Sequence, residues 1–434
     1  MARSSRGGEA DAFRDVPRPE GGDRAAGSRS RTRIEFRVPT QAEPISHFTD
    51  AVRAGDLLFV SGVVPVDGER QLVGGDDVAA QARAAGPLAG RTLLVKDLID
   101  TAGIRTTYGS RIYGDHVPER NASVVDLVLD AGATVLGKAN LVEFAWGVLG
   151  DNPWYGTVRN PARPGRTTGG SSSGNAAAIA AGLCELGLGT DTGCSVRLPA
   201  AACEIVGLKT RLGAVPIDGV FPLCPSFDTV GPMARTVHDA ATLWSVLTGR
   251  DVPEPRLAGL TVGLLRRAPS LADGRETEAS DAAEAWVARL ESLGARVVEA
   301  TIPGPAANTW PVFQHEAARS HAATFPARAD EYGPGIRAKL TAAREVDPDD
   351  VTEGYRALLA WRQLLPEVDL YVSPCVAIDW PAEDADELEV RLPLSSFLRW
   401  VNLLGWAALA IGNLQLVAPR DETVLAAGLA WEQG

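Results

Sequence analysis

The sequence has few of the residues that build metal or disulfide sites. Its five cysteines are odd in number and form no CxxC pair, which argues against a disulfide framework and against a zinc ribbon. Neither these cysteines nor the five histidines have metal-ligand spacing, so we expect no metal and no cofactor. The pattern favours reduced thiols in a cytoplasmic protein.

Long apolar runs are also missing. No stretch reaches the roughly 18 uninterrupted apolar residues of a membrane span, and residues 1–34 lack the apolar core of a secretory signal. The formal net charge is −13, and an acidic surface repels phosphate backbones and anionic headgroups. We therefore expect neither nucleic acid nor a membrane as a partner.

What the chain does contain is the composition of a globular enzyme, 45% hydrophobic and 22% charged over 434 residues. Residues 1–40 hold too few apolar side chains to offset the entropy of ordering, which predicts a disordered tail. Beyond residue 87, strands alternate with helices, for example Thr92–Val95, Ser123–Ala131 and Thr134–Gly137. A βαβ-like unit is predicted over residues 260–302. The fold class is therefore α/β, with helices on a mostly parallel or mixed sheet.

Two serine- and glycine-rich loops flank a helix of small residues at 175–181. The second loop, Gly189–Ser195, presents successive backbone N–H groups near glycine, an arrangement that binds anions. A serine at the end of such a loop combines a nucleophilic hydroxyl with donors for a developing oxyanion. Ser195 is therefore a candidate nucleophile.

No histidine lies in either loop, so the base for Ser195 must be another residue. Lys96 follows the apolar run Leu93–Val95, which predicts that it ends a buried strand. Burial disfavours an ammonium ion and moves a lysine pKa from about 10.4 towards the range of about 7 to 8 that suits a base. Neutral Lys96 could accept a proton through an intervening serine.

These segments resemble the amidase signature family. The matches are Val95-Lys96-Asp97, Gly169-Gly170-Ser171-Ser172 and, with one substitution, the run from Gly189 to Ala200. The separation of Ser171 from Ser195 is that of the family. The resemblance implies an α/β/α layered fold around a large mixed β-sheet, in an amidase domain spanning residues 87–434.

The resemblance also implies the catalytic roles. Ser195 corresponds to the nucleophile, Ser171 to a relay serine on a cis peptide bond, and Lys96 to the base. The oxyanion hole would be formed by the backbone N–H groups of Thr192, Gly193, Cys194 and Ser195.

Further residues are candidates for supporting roles. We expect Ser172 to hydrogen-bond Lys96, although residues 170–174 also match the GxSxG nucleophile elbow, which lacks its preceding strand here. Asp191 and Arg197 either contact the substrate or form an ion pair that braces the loop. Trp154 is a candidate for the substrate funnel, whereas Trp310 is expected to pack.

Several positions depart from the family pattern. Cys194 and Glu204 each replace a usual glycine, and the compressed segment Ala410–Val417 predicts a weakened sheet edge. Residues 41–86 resemble a truncated fragment of a Rid-family enamine/imine deaminase, and lack the arginine that handles the substrate carboxylate in that family.

The expected function is hydrolysis of a small-molecule carboxamide to a carboxylate and ammonia or an amine through an acyl-enzyme. Two alternatives stay open: the glutamine-hydrolysing A-type subunit of a transfer-RNA-dependent amidotransferase, and an inactive fusion. A homodimer is also left open. Residues 269–367 would shape the pocket, and they carry no recognisable specificity motif.

Overall fold

The computed structural model describes residues 86–271, 278 and 283–434, together with the backbone of three short strands. Those strands, Ile34–Phe36 (β1), Ala51–Ala54 (β2) and Leu57–Val60 (β3), form an antiparallel sheet. The remainder of the expected tail at 1–40 and of the Rid-like segment at 41–86 lies outside the described residues, apart from residue 86 itself.

A ten-stranded mixed sheet organises the described chain, as the sequence predicted. Its spatial order is β10-β9-β11-β13-β12-β7-β8-β6-β4-β5, with parallel pairs at both ends and antiparallel pairs in the middle. The strands are Thr92–Lys96 (β4), Thr134–Ala139 (β5), Leu186–Asp191 (β6), Val206–Lys209 (β7), Thr229–Ala234 (β8), Thr261–Leu264 (β9), Arg296–Glu299 (β10), Leu370–Pro374 (β11), Ala407–Ile411 (β12) and Leu414–Ala418 (β13).

Helices cover both faces of this sheet. They are Ser123–Asp130 (α1), Ser173–Ala180 (α2), Arg197–Ala202 (α3), Val237–Thr248 (α4), Ala283–Ser292 (α5), Trp310–Ser320 (α6), Pro334–Ala343 (α7), Pro348–Trp361 (α8), Glu387–Leu404 (α9) and Asp421–Gln433 (α10). Side chains of β4 alternate between the two layers: Leu93 and Val95 pack in the core with α1, α4 and α10, while Leu94 packs with α2, α3 and α9. The molecule is thus a three-layered α/β/α fold.

The predicted local elements are confirmed with small shifts of boundary. The strand expected at Thr92–Val95 extends to Lys96, and β9, α5 and β10 form the predicted parallel unit. The expectation for Ala410–Val417 was wrong. This segment comprises the end of β12, a two-residue turn and most of β13, an antiparallel hairpin that lies in the middle of the sheet between β7 and β11, so it weakens no edge.

Helix α9 is the longest helix of the described chain, and both of its ends are marked in the sequence. The Asp386 carboxylate accepts a hydrogen bond from the Leu388 N–H, and Gly405 ends the helix with a φ of 72°. None of the helices in the described part of the chain is long and apolar enough to cross a membrane.

Candidate active site

The candidate residues meet at the carboxyl ends of the neighbouring parallel strands β4 and β6. Lys96 is the last residue of β4, and Asp191 is the last residue of its parallel neighbour β6, so the loops after both strands leave the sheet together. Lys96 follows Leu94 by two positions and shares its face of the sheet, the face that α2 covers. Ser171 lies two residues before α2, which brings it to Lys96.

Lys96 is fully buried among hydroxyl groups. Its Nζ lies 2.7 Å from Ser171 Oγ and 2.8 Å from Thr190 Oγ1. Burial lowers the pKa of Lys96 from its ordinary 10.5 to about 7, against the opposing charges of Asp191 and Asp228. Sequence reasoning missed Thr190; its position inside the matched Gly189–Ser195 loop was the available signal.

The two serine loops are tied together by their backbones. The Gly170–Ser171 peptide bond is cis, and the Ser172 N–H donates to the Ser195 carbonyl at 3.2 Å. The Ser172 hydroxyl donates to the Thr190 carbonyl at 3.3 Å, so it contacts the β6 backbone where a bond to Lys96 was expected. Thr190 Oγ1 makes the second contact with Lys96.

The loop Thr192–Ser195 forms one wall of a cavity of about 280 Å³. Within the described chain, the backbone N–H groups of Gly193, Cys194 and Ser195 donate to no protein acceptor, whereas those of Val196 and Arg197 donate to the Asp191 carboxylate. Three adjacent amides are therefore available to an anion at the cavity wall.

Asp191 and Arg197 form a fully buried ion pair with two contacts of 3.0 Å. Arg197 also donates to Asn402 Oδ1 at 2.6 Å and to Gln415 Oε1 at 2.7 Å. Burial alone would raise the pKa of Asp191, but the Arg197 charge lowers it to about 2. Neither residue lines the cavity, so of the two interpretations left open by the sequence, the structure favours an ion pair that braces the loop.

Cys194 and Glu204, which stand where the family usually has glycine, differ in how the structure accommodates them. Cys194 is buried, its Sγ lies 4.0 Å from the Gly170 carbonyl, and burial raises the pKa of its thiol to about 12. Glu204 has a φ of 57°, the left-handed backbone that glycine adopts most readily, and its carboxylate pairs with Arg163 at 2.7 Å.

Aromatic side chains line part of the cavity. Trp310 stacks on Phe313 with ring centroids 4.7 Å apart, and Trp146 meets Phe313 edge-on at 5.5 Å. Trp310 was expected only to pack, whereas Trp154, the predicted funnel residue, is not among the cavity-lining residues. Trp154 instead packs beneath Arg111, with its Nε1 donating to Glu143. Trp310 and Phe313 therefore come from the segment 269–367, in which no motif was recognisable.

Acidic, histidine and cysteine side chains do not gather into a metal site anywhere in residues 86–271 and 283–434. All five cysteines are buried and unpaired. The cavity at Ser195 is lined by the Thr192–Ser195 loop, by aromatic rings and by four charged side chains, Lys339, Glu387, Arg391 and Arg399.

Comparison with known proteins gives consistent similarities. A family model described as Amidase matches residues 73–416. The A subunit of glutamyl-tRNA(Gln) amidotransferase from Natronomonas pharaonis is 40% identical over 285 residues, covering 60% of this chain and 66% of that protein. The chain spans between 48% and 66% of the length of the curated relatives it matches.

Solved structures agree on the architecture. A crystal structure of an amidase superposes with a TM-score of 0.73 at 29% identity, covering 86% of this chain and 91% of that one. The crystal structure of the A subunit of glutamyl-tRNA(Gln) amidotransferase from Thermotoga maritima gives a TM-score of 0.67 at 28% identity, covering 80% of this chain and 83% of that one.

Proposed function

The chain belongs to the amidase family, and on that premise we propose that it hydrolyses a carboxamide through an acyl ester on Ser195. The observation that carries this proposal is the buried contact of 2.7 Å between Lys96 Nζ and Ser171 Oγ, beside a loop with three available amides. A lysine whose pKa is lowered to about 7 by burial holds a neutral, proton-accepting fraction at neutral pH.

In the first half of the reaction, Ser195 Oγ attacks the amide carbonyl and gives its proton to Ser171 Oγ. Ser171 passes its own proton to neutral Lys96. The backbone N–H groups of Gly193, Cys194 and Ser195 donate to the new oxyanion, with that of Thr192 at the edge of the same loop. Lys96 then returns a proton through Ser171 to the leaving nitrogen, and ammonia or an amine departs.

In the second half, water attacks the Ser195 ester and gives its proton along the same route to Lys96. Collapse of the tetrahedral intermediate breaks the ester bond, and the proton returns to Ser195. The product is a carboxylate, and both halves use the same base and the same amides. Asp191 and Arg197 act as positioning residues, because they hold the loop without facing the cavity.

A fluorophosphonate probe tests the nucleophile directly. Wild-type protein should be labelled at Ser195, and Ser195→Ala should lose the label, whereas Ser172→Ala should keep it because its hydroxyl faces the β6 backbone. Peptide mapping by mass spectrometry locates the adduct. Unchanged labelling of Ser195→Ala would contradict the proposal. A wild-type protein that is folded but not labelled would favour the inactive-fusion alternative.

A second candidate is the A-type subunit of a transfer-RNA-dependent amidotransferase, because relatives about 40% identical carry that name. The purified chain should then release ammonia from glutamine and need partner subunits to transfer it. A glutaminase assay on the chain alone, with a panel of simple amides beside it, separates the two candidates.

A further inference from the structure

A loop at residues 223–228 is bonded to the nucleophile loop on one side and to α6 on the other. Leu223 and Phe227 of this loop line the cavity, as do Trp310 and Phe313 of α6. The distance between these aromatic rings and the nucleophile therefore depends on the bonds that the 223–228 loop makes in both directions.

The Asp228 carboxylate fixes the 223–228 loop to the nucleophile loop. It accepts a hydrogen bond from Thr192 Oγ1 at 2.6 Å, and it accepts from the backbone N–H groups of Leu223 and Cys224 at 3.0 Å. Asp228 is buried, and Thr192 begins the loop that ends at Ser195. One side of the connection thus reaches the candidate oxyanion hole.

The Glu316 carboxylate fixes the same loop to α6. Glu316 is buried, and it accepts hydrogen bonds from Ser226 Oγ at 2.5 Å and from the Ser226 N–H at 2.9 Å. It also accepts from the Tyr355 hydroxyl at 2.5 Å and from the Cys224 thiol at 3.2 Å. Tyr355 lies on α8, so this one carboxylate joins the loop to two helices.

Glu316 can act on the cavity only through its neighbours, because it does not line the cavity itself. Phe313 precedes it by three residues, a spacing that places the two side chains next to each other on the helix. Burial would raise the pKa of Glu316, but the hydrogen bonds from Ser226 and Tyr355 lower it, so the carboxylate is ionised at neutral pH. An ionised acceptor makes stronger hydrogen bonds than a neutral one, which favours a firm connection between α6 and the loop.

We infer that Glu316 is a positioning residue: it holds the aromatic wall formed by Trp146, Trp310 and Phe313 beside Ser195 and thereby sets the preference of the cavity for an aromatic acyl group. Contacts between aromatic rings depend on their spacing and orientation, so a displacement of α6 weakens them while the nucleophile stays in place. The inference rests on the proposed function only for the place of the reacting amide.

Binding, measured apart from turnover, tests this role. Ser195→Ala protein, the parent, is titrated calorimetrically with 2-naphthamide and with its saturated counterpart, decahydro-2-naphthamide. We expect the parent to bind the aromatic amide about threefold to tenfold more tightly, the usual range for an aromatic contact. Adding Glu316→Leu should bring the two affinities close to equality. Glu316→Gln and Tyr355→Phe should each retain part of the preference, because each keeps some of the hydrogen bonds, and they decide the question if Glu316→Leu does not fold.

Tyr371→Phe is the matched control. Tyr371 is also buried, its hydroxyl accepts a hydrogen bond from the Glu367 N–H at 3.1 Å, and it does not line the cavity. This variant should keep the preference of the parent. Equal affinity of the parent for the two amides, no binding of either, a full preference in both Glu316→Gln and Tyr355→Phe, or an equal loss in Tyr371→Phe would each overturn the inference.

Fluorophosphonate labelling of the wild-type protein tests the proposed function separately. An unlabelled protein whose variants lose the aromatic preference as expected would refute the proposed function and support the role of Glu316. A labelled protein whose variants keep the full preference would do the reverse.

Discussion

Lys96 and Arg197 are both fully buried basic side chains, and they contact neighbouring residues of one segment, Thr190 and Asp191. Arg197 meets a carboxylate and several carbonyl and amide oxygens, so its charge is compensated. Lys96 meets two hydroxyls, which compensate a charge weakly. The same burial therefore produces a permanent structural cation in one place and a titratable amine in the other.

Removing the compensated cation should have the largest effect. Arg197→Met leaves the Asp191 carboxylate buried without its partner, which destabilises a protein by about 3 to 5 kcal/mol. Urea unfolding followed by tryptophan fluorescence measures the free energy of unfolding. Arg337→Met, which breaks an exposed pair with Asp330, is the control and should cost less than about 1 kcal/mol. Equal losses in the two variants would contradict the distinction.

Removing the weakly compensated amine should instead affect reactivity. Lys96→Met should slow fluorophosphonate labelling of Ser195 by about 10² to 10⁴-fold, the usual contribution of a general base. Its free energy of unfolding should change by less than half of the change in Arg197→Met, because no charge is left unpaired. Lys209→Met is a matched control: Lys209 is equally buried, burial also lowers its pKa to about 7, and its partners are the carbonyls of Thr210 and Trp406. Folded Lys209→Met protein should label at the wild-type rate.

The pH dependence of Ser195 labelling is the smallest of the expected effects, and it tests the titration of Lys96 directly. Because only neutral Lys96 accepts a proton, labelling of Ser195 should fall by about tenfold for each pH unit below about 7 and level off above it. A pH-independent rate between about pH 5 and 8 would exclude Lys96 as the base.

The same pKa has a consequence for stability. The unfolded chain keeps the Lys96 proton up to about pH 10, whereas the folded chain loses it near pH 7. The unfolded state therefore binds more protons between these values, and this group makes the free energy of unfolding rise with pH across that window. Below about pH 7 both states hold the proton and the contribution is constant. Urea unfolding of wild type and Lys96→Met at several pH values isolates this contribution of Lys96 to the free energy of unfolding.

Sequence reasoning reached the parts of the site that carry a local signal, such as an apolar run or a glycine-rich loop. The strand ending at Lys96 was predicted from its apolar run, and the two serine loops from their glycines and from the resemblance. Ser171 and Lys96 do meet at 2.7 Å. The α/β class followed from the alternation of strands and helices, and the α/β/α layers around a large mixed sheet followed from the resemblance.

Contacts between residues that are far apart in the sequence could not be predicted from it, because they depend on how the helices and strands pack together. The pairing of Asp191 with Arg197 was left as one of two interpretations, because the choice depends on Asn402 and Gln415, more than 200 positions away. The aromatic wall depends on how α6 and the segment that carries Trp146 come together beside the nucleophile loop. For that reason Trp154 was preferred to Trp310 as the residue lining the cavity.

The thiol of Cys194 bears on how any chemical modification of this protein is interpreted. A cysteine beside the candidate nucleophile would normally compete with it for alkylating reagents, since the thiolate is the reactive form. Burial raises the pKa of this thiol to about 12, so the thiol is protonated at neutral pH. Iodoacetamide at neutral pH should therefore leave Cys194 untouched, and inactivation by a serine-directed electrophile will report on Ser195 without interference from the sulfur next to it.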